Sequence, residues 1–146
     1  LHGNNAGVSV LEMIGPAGLD SRPAPGHTGT TSPHTFAEWL STPPFLSARA
    51  PVRARVGGRP GWHVRVQLAP GVATGPGLCS NSFDCYPVAR TDTGDIFGIW
   101  ADMVADYTFV RLPSGTAMVW SWAFGHDTAA LARNRAAVDG ISWPAH

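Results

Sequence analysis

The sequence contains no lysine. All ten basic residues are arginines, matched by ten carboxylates (Glu12, Glu38 and eight aspartates), so the formal net charge is zero. A neutral chain lacks the positive field that draws general nucleic-acid binders and membrane-surface binders to their partners, and no nucleic-acid partner is expected. Charge of either sign is scarce, at 14% of residues against about 25% in an average soluble protein. Alongside 44% apolar residues, that scarcity excludes a charge-driven disordered chain. No apolar run approaches the roughly 18 residues needed to cross a bilayer, so no transmembrane segment is expected. Also missing are the Gly-x-Ser-x-Gly elbow, the His-Glu-x-x-His helix, the P-loop and the dinucleotide fingerprint. No catalytic residue is assigned by motif, and no cofactor is expected.

What is present fits one domain spanning residues 1–146, long enough to bury roughly 68–70% of its unfolded surface. There are two cysteines, Cys79 and Cys85, separated by a polar, turn-prone stretch. A disulfide closing this short loop is the first reading. A structural metal site needs four ligands, and no second Cys/His pair lies nearby, so none is expected. A bonded pair implies an oxidising compartment, which points to a secreted or extracytoplasmic protein. The chain opens on Leu1 with no visible signal peptide or initiator methionine, which fits either a processed chain or a segment that begins inside a longer precursor.

Seventeen glycines and thirteen prolines punctuate the chain. Eight of them fall between Gly15 and His34, which predicts a long loop after a strand-like run, Ala6 to Ile14. Ser32-Pro33 then offers a helix N-cap with proline in the first turn, and Thr35 to Glu38 offers a competing capping box. Phe36, Trp39 and Leu40 give the helix one apolar face, and Pro43-Pro44 ends it. The clearest β signal follows. Val52, Ala54 and Val56 alternate with Arg53 and Arg55, and after a Gly57 to Gly61 turn Trp62, Val64, Val66 and Leu68 alternate with His63, Arg65 and Gln67. Ala69 to Asp95 reads as loop. Ile96 to Trp100, Tyr107 to Leu112 and Ala117 to Phe124 read as strands, the last apolar on both faces and so central. Asp127 is placed to cap a helix from Thr128 to Asp139, with Gly140 at its C′ position and Ile141 to Trp143 as a terminal strand or a tail packing back. The fold class expected is α+β: an antiparallel sheet of five to six strands with two helices packed on it.

Three features are candidates for function. If Trp62, Val64, Val66 and Leu68 point inward, then Arg53, Arg55, His63 and Arg65 form an outward shelf. Five arginines and no carboxylate lie between Ser47 and Pro70, while five aspartates accompany Arg90 alone between Asp84 and Asp106. Such a shelf suits an anionic ligand, namely a cell-surface polymer, a sulfated sugar or an acidic segment of a protein partner, because guanidinium binds carboxylate and phosphate bidentately. The competing reading pairs these arginines with the aspartates across the sheet. Second, Trp120, Trp122 and Phe124 form either an aromatic platform for sugar rings or a core row facing Leu131 and Val138 of the last helix. Third, His63 or His126 with an aspartate could form a small hydrolytic site if the fold gathers them. A further alternative is a subunit or fragment of a larger assembly, with the Ala6 to Ile14 strand pairing with another chain.

The Trp39-Leu40 helix, the Ala50-Pro51-Val52 strand entry, Val56-Gly57-Gly58 with Pro60-Gly61, the paired cysteines, the Gly115-centred hairpin and the ending Ala137-Val138-Asp139-Gly140-Ile141-Ser142-Trp143 together resemble a domain of secreted proteins and lipoproteins of actinobacteria and related bacteria. The resemblance spans roughly Phe36 to Trp143, departing where Asp139-Gly140 stands in place of the usual Asp-Ser. More loosely, the closing strand, hairpin and helix are similar to the α+β sandwiches of PsbP-type photosystem accessory proteins. The resemblance implies an extracytoplasmic α+β domain, lipid-anchored in the precursor if it follows the lipoproteins. It supplies no known activity and transfers no catalytic residue. The leading expectation is therefore a non-catalytic domain binding an anionic or cell-surface partner.

Overall fold

The computed structural model describes residues 6–11, 14–16, 32–42, 46–72, 85–91, 96–113 and 115–144. In chain order the elements are β1 (Ala6–Leu11), β2 (Ile14–Pro16), α1 (Pro33–Leu40), β3 (Leu46–Ala48), β4 (Val52–Val56), β5 (Arg59–Leu68), β6 (Tyr86–Thr91), β7 (Ile96–Ile99), β8 (Met103–Leu112), β9 (Gly115–Phe124) and α2 (Thr128–Asp139). Among the described residues, six strands form one antiparallel sheet in the order β1-β9-β8-β5, with β3 and β4 sharing the far edge of β5. A smaller antiparallel sheet runs β2-β6-β7. This is the α+β architecture expected.

The side-chain period of a strand sorts the central sheet into two faces. On one face Val64, Val66, Tyr107, Phe109, Met118 and Trp120 are buried under α1 and the small sheet. Phe36 of α1 stacks on Phe109 at 4.2 Å between ring centroids, and Leu40 is buried beside it. Ser32 caps α1, its Oγ accepting from the Thr35 N–H, so the alternative box starting at Thr35 is not the one used. On the other face, α2 covers Val110, Ala117, Val119 and Ala123 through Leu131 and Val138. Asp127 caps α2 by accepting from the Ala130 N–H at 3.0 Å. Asn134 of α2 donates to the carbonyls of Gly7 and Trp122, tying the helix to the β1–β9 pair.

Several expectations are corrected. The Ala6 to Ile14 run divides: β1 pairs along its length with β9, while β2 crosses to the small sheet and pairs with β6. The strand thus has a partner within its own chain on one side, and among the described residues no strand pairs with its other side. The expected Gly15 to His34 loop is shorter at both ends, because Gly15 and Pro16 lie in β2 and Pro33 opens α1; residues 17–31 lie outside the described residues. The stretch read as loop contains β6, whose Pro87 breaks the alternation and is accommodated at a register shift between Pro87 and Ala89. Trp120 is core, but its cover is Phe97 and Trp100 rather than α2, which packs on the opposite face of β9. Gly140 is the C-cap residue of α2 itself, in the right-handed region at φ −82°, and not the C′ residue expected. The tail does pack back: Trp143 Nε1 donates to the Val56 carbonyl at 2.8 Å. Cys85 is buried at the head of β6, and its expected partner Cys79 lies outside the described residues.

Candidate functional site

The β4–β5 hairpin carries all four residues of the expected shelf, and its turn decides where they point. The connection is only Gly57-Gly58, with φ of +54° and +77°, the left-handed pair that a two-residue type I′ turn requires. Arg53 therefore lies opposite Trp62 and Arg55 opposite Pro60, while Val52 lies opposite His63. Directly opposed residues share a face. Arg53 and Arg55 stand on the Trp62 side, and His63 and Arg65 stand on the reverse. The expected single shelf is thus two separate surfaces. A five-residue turn would have set odd-numbered residues against odd-numbered ones. The shorter turn reverses the parity, and a one-residue change of register turns a whole strand over.

On the first surface, Arg53, Arg55, Pro60 and Trp62 meet Ser32, Pro33 and His34 of the α1 entry around an open groove of about 700 Å³. The His34 ring lies 4.0 Å from the Trp62 ring, centroid to centroid, and the Arg53 guanidinium sits 5.5 Å from the Trp62 centroid. That is within cation–π range. Arg55 donates to the Gly58 carbonyl across the turn. Among the described residues neither arginine has a carboxylate partner. Glu38 is the acid close by, 3.4 Å from His34 Nε2. The positive end of α1 adds the same sign to the groove. His34 and Trp62 were not among the predicted site residues. Helix periodicity assigned one to a cap region and strand alternation assigned the other to the core, and no local pattern signals that they meet.

On the second surface, Arg65 grips Asp106 with both edges of its fork, Nε to Oδ1 at 2.7 Å and Nη2 to Oδ2 at 2.9 Å. His63 Nε2 lies 3.2 Å from the same Oδ1. Burial by itself would raise the Asp106 pKa, but the bonds and charges of Arg65 and His63 outweigh it and hold the carboxyl at about 2. Arg65 is held above its ordinary value by its bond to Asp106, against the opposing pull of burial. Arg65 is thus neutralised across the sheet, while Arg53 and Arg55 have no carboxylate partner among the described residues.

This second cluster also holds the histidine and aspartate of the hydrolytic alternative. His63, Asp106, Thr108 and Ser121 line a cavity of about 20 Å³ beneath Leu131, Arg135 and Val138 of α2. Cross-strand register puts Arg65 opposite Asp106 and Asp106 opposite Ser121. His63 is paired with Thr108, and the buried Ser121 Oγ has no hydrogen-bond partner, so no imidazole is hydrogen-bonded to that hydroxyl. Nucleophilic catalysis needs the imidazole in the middle, taking the hydroxyl proton while the carboxylate orients it from behind. His126 is not drawn in. It is exposed, its backbone N–H donating to the Asp102 carbonyl, and the neighbouring Asp127 is occupied as a helix cap. Among the described residues no three His, Cys, Asp or Glu side chains gather in one place, and no helix is long and apolar enough to cross a membrane. No protein family, curated protein or solved structure matches the chain.

Proposed function

We propose that this chain is a non-catalytic extracytoplasmic binding domain that recognises an anionic partner through Arg53 and Arg55. The observation that carries the reading is the contrast between the two surfaces. Arg65 is consumed by Asp106, whereas Arg53 and Arg55 stand side by side on β4, free of carboxylates among the described residues and open to a groove floored by Trp62. A guanidinium held over an aromatic ring is positioned in advance, so less freedom is lost when it engages an anion. The extracytoplasmic assignment rests on the Cys79/Cys85 spacing and on the resemblance to secreted and lipoprotein domains.

Binding of poly-L-glutamate and of polygalacturonate, measured by titration calorimetry at low and near-physiological salt, tests this reading. The wild type binds at least one of them, more weakly as salt rises, and Arg53→Ala/Arg55→Ala loses that binding while unfolding at the same denaturant midpoint. Binding indifferent to salt, or retained in the double variant, would contradict it. The proposed Cys79–Cys85 bond has its own check. Alkylation of the unfolded, unreduced protein should add no mass, and alkylation after reduction should add two equivalents.

A further inference from the structure

β4 pairs with β5 on one side, and among the described residues no strand pairs with its other side. With a two-residue turn, Val56 and Arg59 form the closing hydrogen-bonded pair, so the ladder to β5 is made by Val52, Ala54 and Val56. The backbone N–H and C=O groups of Arg53 and Arg55 therefore point out of the sheet, at the same two residues whose side chains flank the groove. On the reverse face Val52, 53% exposed, is one of two large apolar side chains left open to solvent among the described residues. At the turn end, Trp143 Nε1 donates to the Val56 carbonyl, so the C-terminal tail lies against the turn.

We propose that this edge receives an extended acidic segment of a protein partner as an added antiparallel strand. The proposal rests on the reading of Arg53 and Arg55 as an anion-recognising pair and names the class of anion. A residue of the incoming strand opposite Arg53 exchanges both backbone hydrogen bonds with it and puts its side chain on the same face; the residue two positions away does the same with Arg55. The two arginines are about 6.7 Å apart along the strand, the repeat of alternate residues in any extended peptide. Asp or Glu at those two positions satisfies charge and backbone together, and an apolar residue next to the Arg53 partner, on the side away from Arg55, lies opposite Val52. A polysaccharide brings no donor–acceptor pair at that repeat. Arginines on an edge also deter neutral strands from pairing there, so the charge that protects the edge selects the partner that completes it.

The test uses acetyl-Val-Asp-Val-Asp-Val-Asp-amide, followed by NMR of the ¹⁵N-labelled protein, with two variants of the peptide. One is N-methylated on the Asp amides, which would face β4, and the other on the Val amides, which would face away. The parent and Val-methylated peptides are expected to shift the Arg53 and Arg55 amides. Methylation at Asp, or Arg53→Ala/Arg55→Ala in the protein, is expected to weaken binding by at least about tenfold. Equal binding of both methylated peptides, still dependent on the two arginines, would overturn strand addition and leave anion recognition standing. Binding of polygalacturonate but not of the peptide would overturn the partner class alone. Failure of both probes to bind would overturn the proposal and the anion reading together.

Discussion

Asp106 shows how one side chain sets both the stability and the chemistry of its surroundings. Its carboxyl sits at about 2 in the folded protein, below the ordinary value near 3.8 that it regains on unfolding. A depressed carboxyl pKa adds stability that is fully present above the unfolded value and is lost as pH falls through the folded one. The wild type should therefore lose about 2 kcal/mol between roughly pH 4 and pH 2 from this group. Asp106→Asn should lack that part of the acid limb and be less stable at pH 7 by a similar amount, both checked by denaturant titrations across pH. An acid limb unchanged in the variant would mean that Arg65 does not hold Asp106 as its geometry implies. The sequence shows that arginines and aspartates segregate into neighbouring segments. Which arginine finds an aspartate is fixed by the β5–β8 register, which joins residues 41 apart and has no local signature.

The hairpin and the elements that cover it show how far periodicity reaches at the scale of strands and helices. The alternation in β4 and β5, the capped helices and the two-sided burial of β9 were all legible, because each depends on residues within a few positions of one another. The faces of β4 were not, because they depend on whether the turn takes two residues or five, and glycines permit either. Gly57 now carries a specific demand. Its φ is positive, and a Cβ there would run into the Ile141 carbonyl and the Trp143 indole, whereas a Cβ on Gly58 meets open space. Gly57→Ala should thus cost more than Gly58→Ala, whose penalty of about 1 kcal/mol is conformational alone. Equal losses in thermal melts would show that the tail does not brace the turn. Across the sheet, Phe36→Ala removes the ring stacked on Phe109 and should destabilise by about 3–5 kcal/mol, measured by urea unfolding.

At the scale of the whole molecule, a chain with no net charge carries a local separation that its total conceals. One face of the central sheet partly buries its ionic cluster, with His63 and Asp106 beside α2, and the other leaves two arginines beside a groove at a strand edge that has no partner among the described residues. The fold class was readable because the apolar pattern alone dictates a sheet covered on both sides. The site was half readable: Arg53 and Arg55 carry the proposed binding surface, while His63 and Arg65 belong to a separate structural network on the reverse. The most direct measurement compares Arg53→Ala with Arg133→Ala, which removes the same charge from an exposed position on α2, on the reverse side of the sheet, in their affinity for poly-L-glutamate at low salt. Recognition through the β4 groove requires that Arg53→Ala weaken binding several-fold and Arg133→Ala leave it nearly unchanged. Equal weakening by both would show that binding follows net charge, and the groove would not be the site.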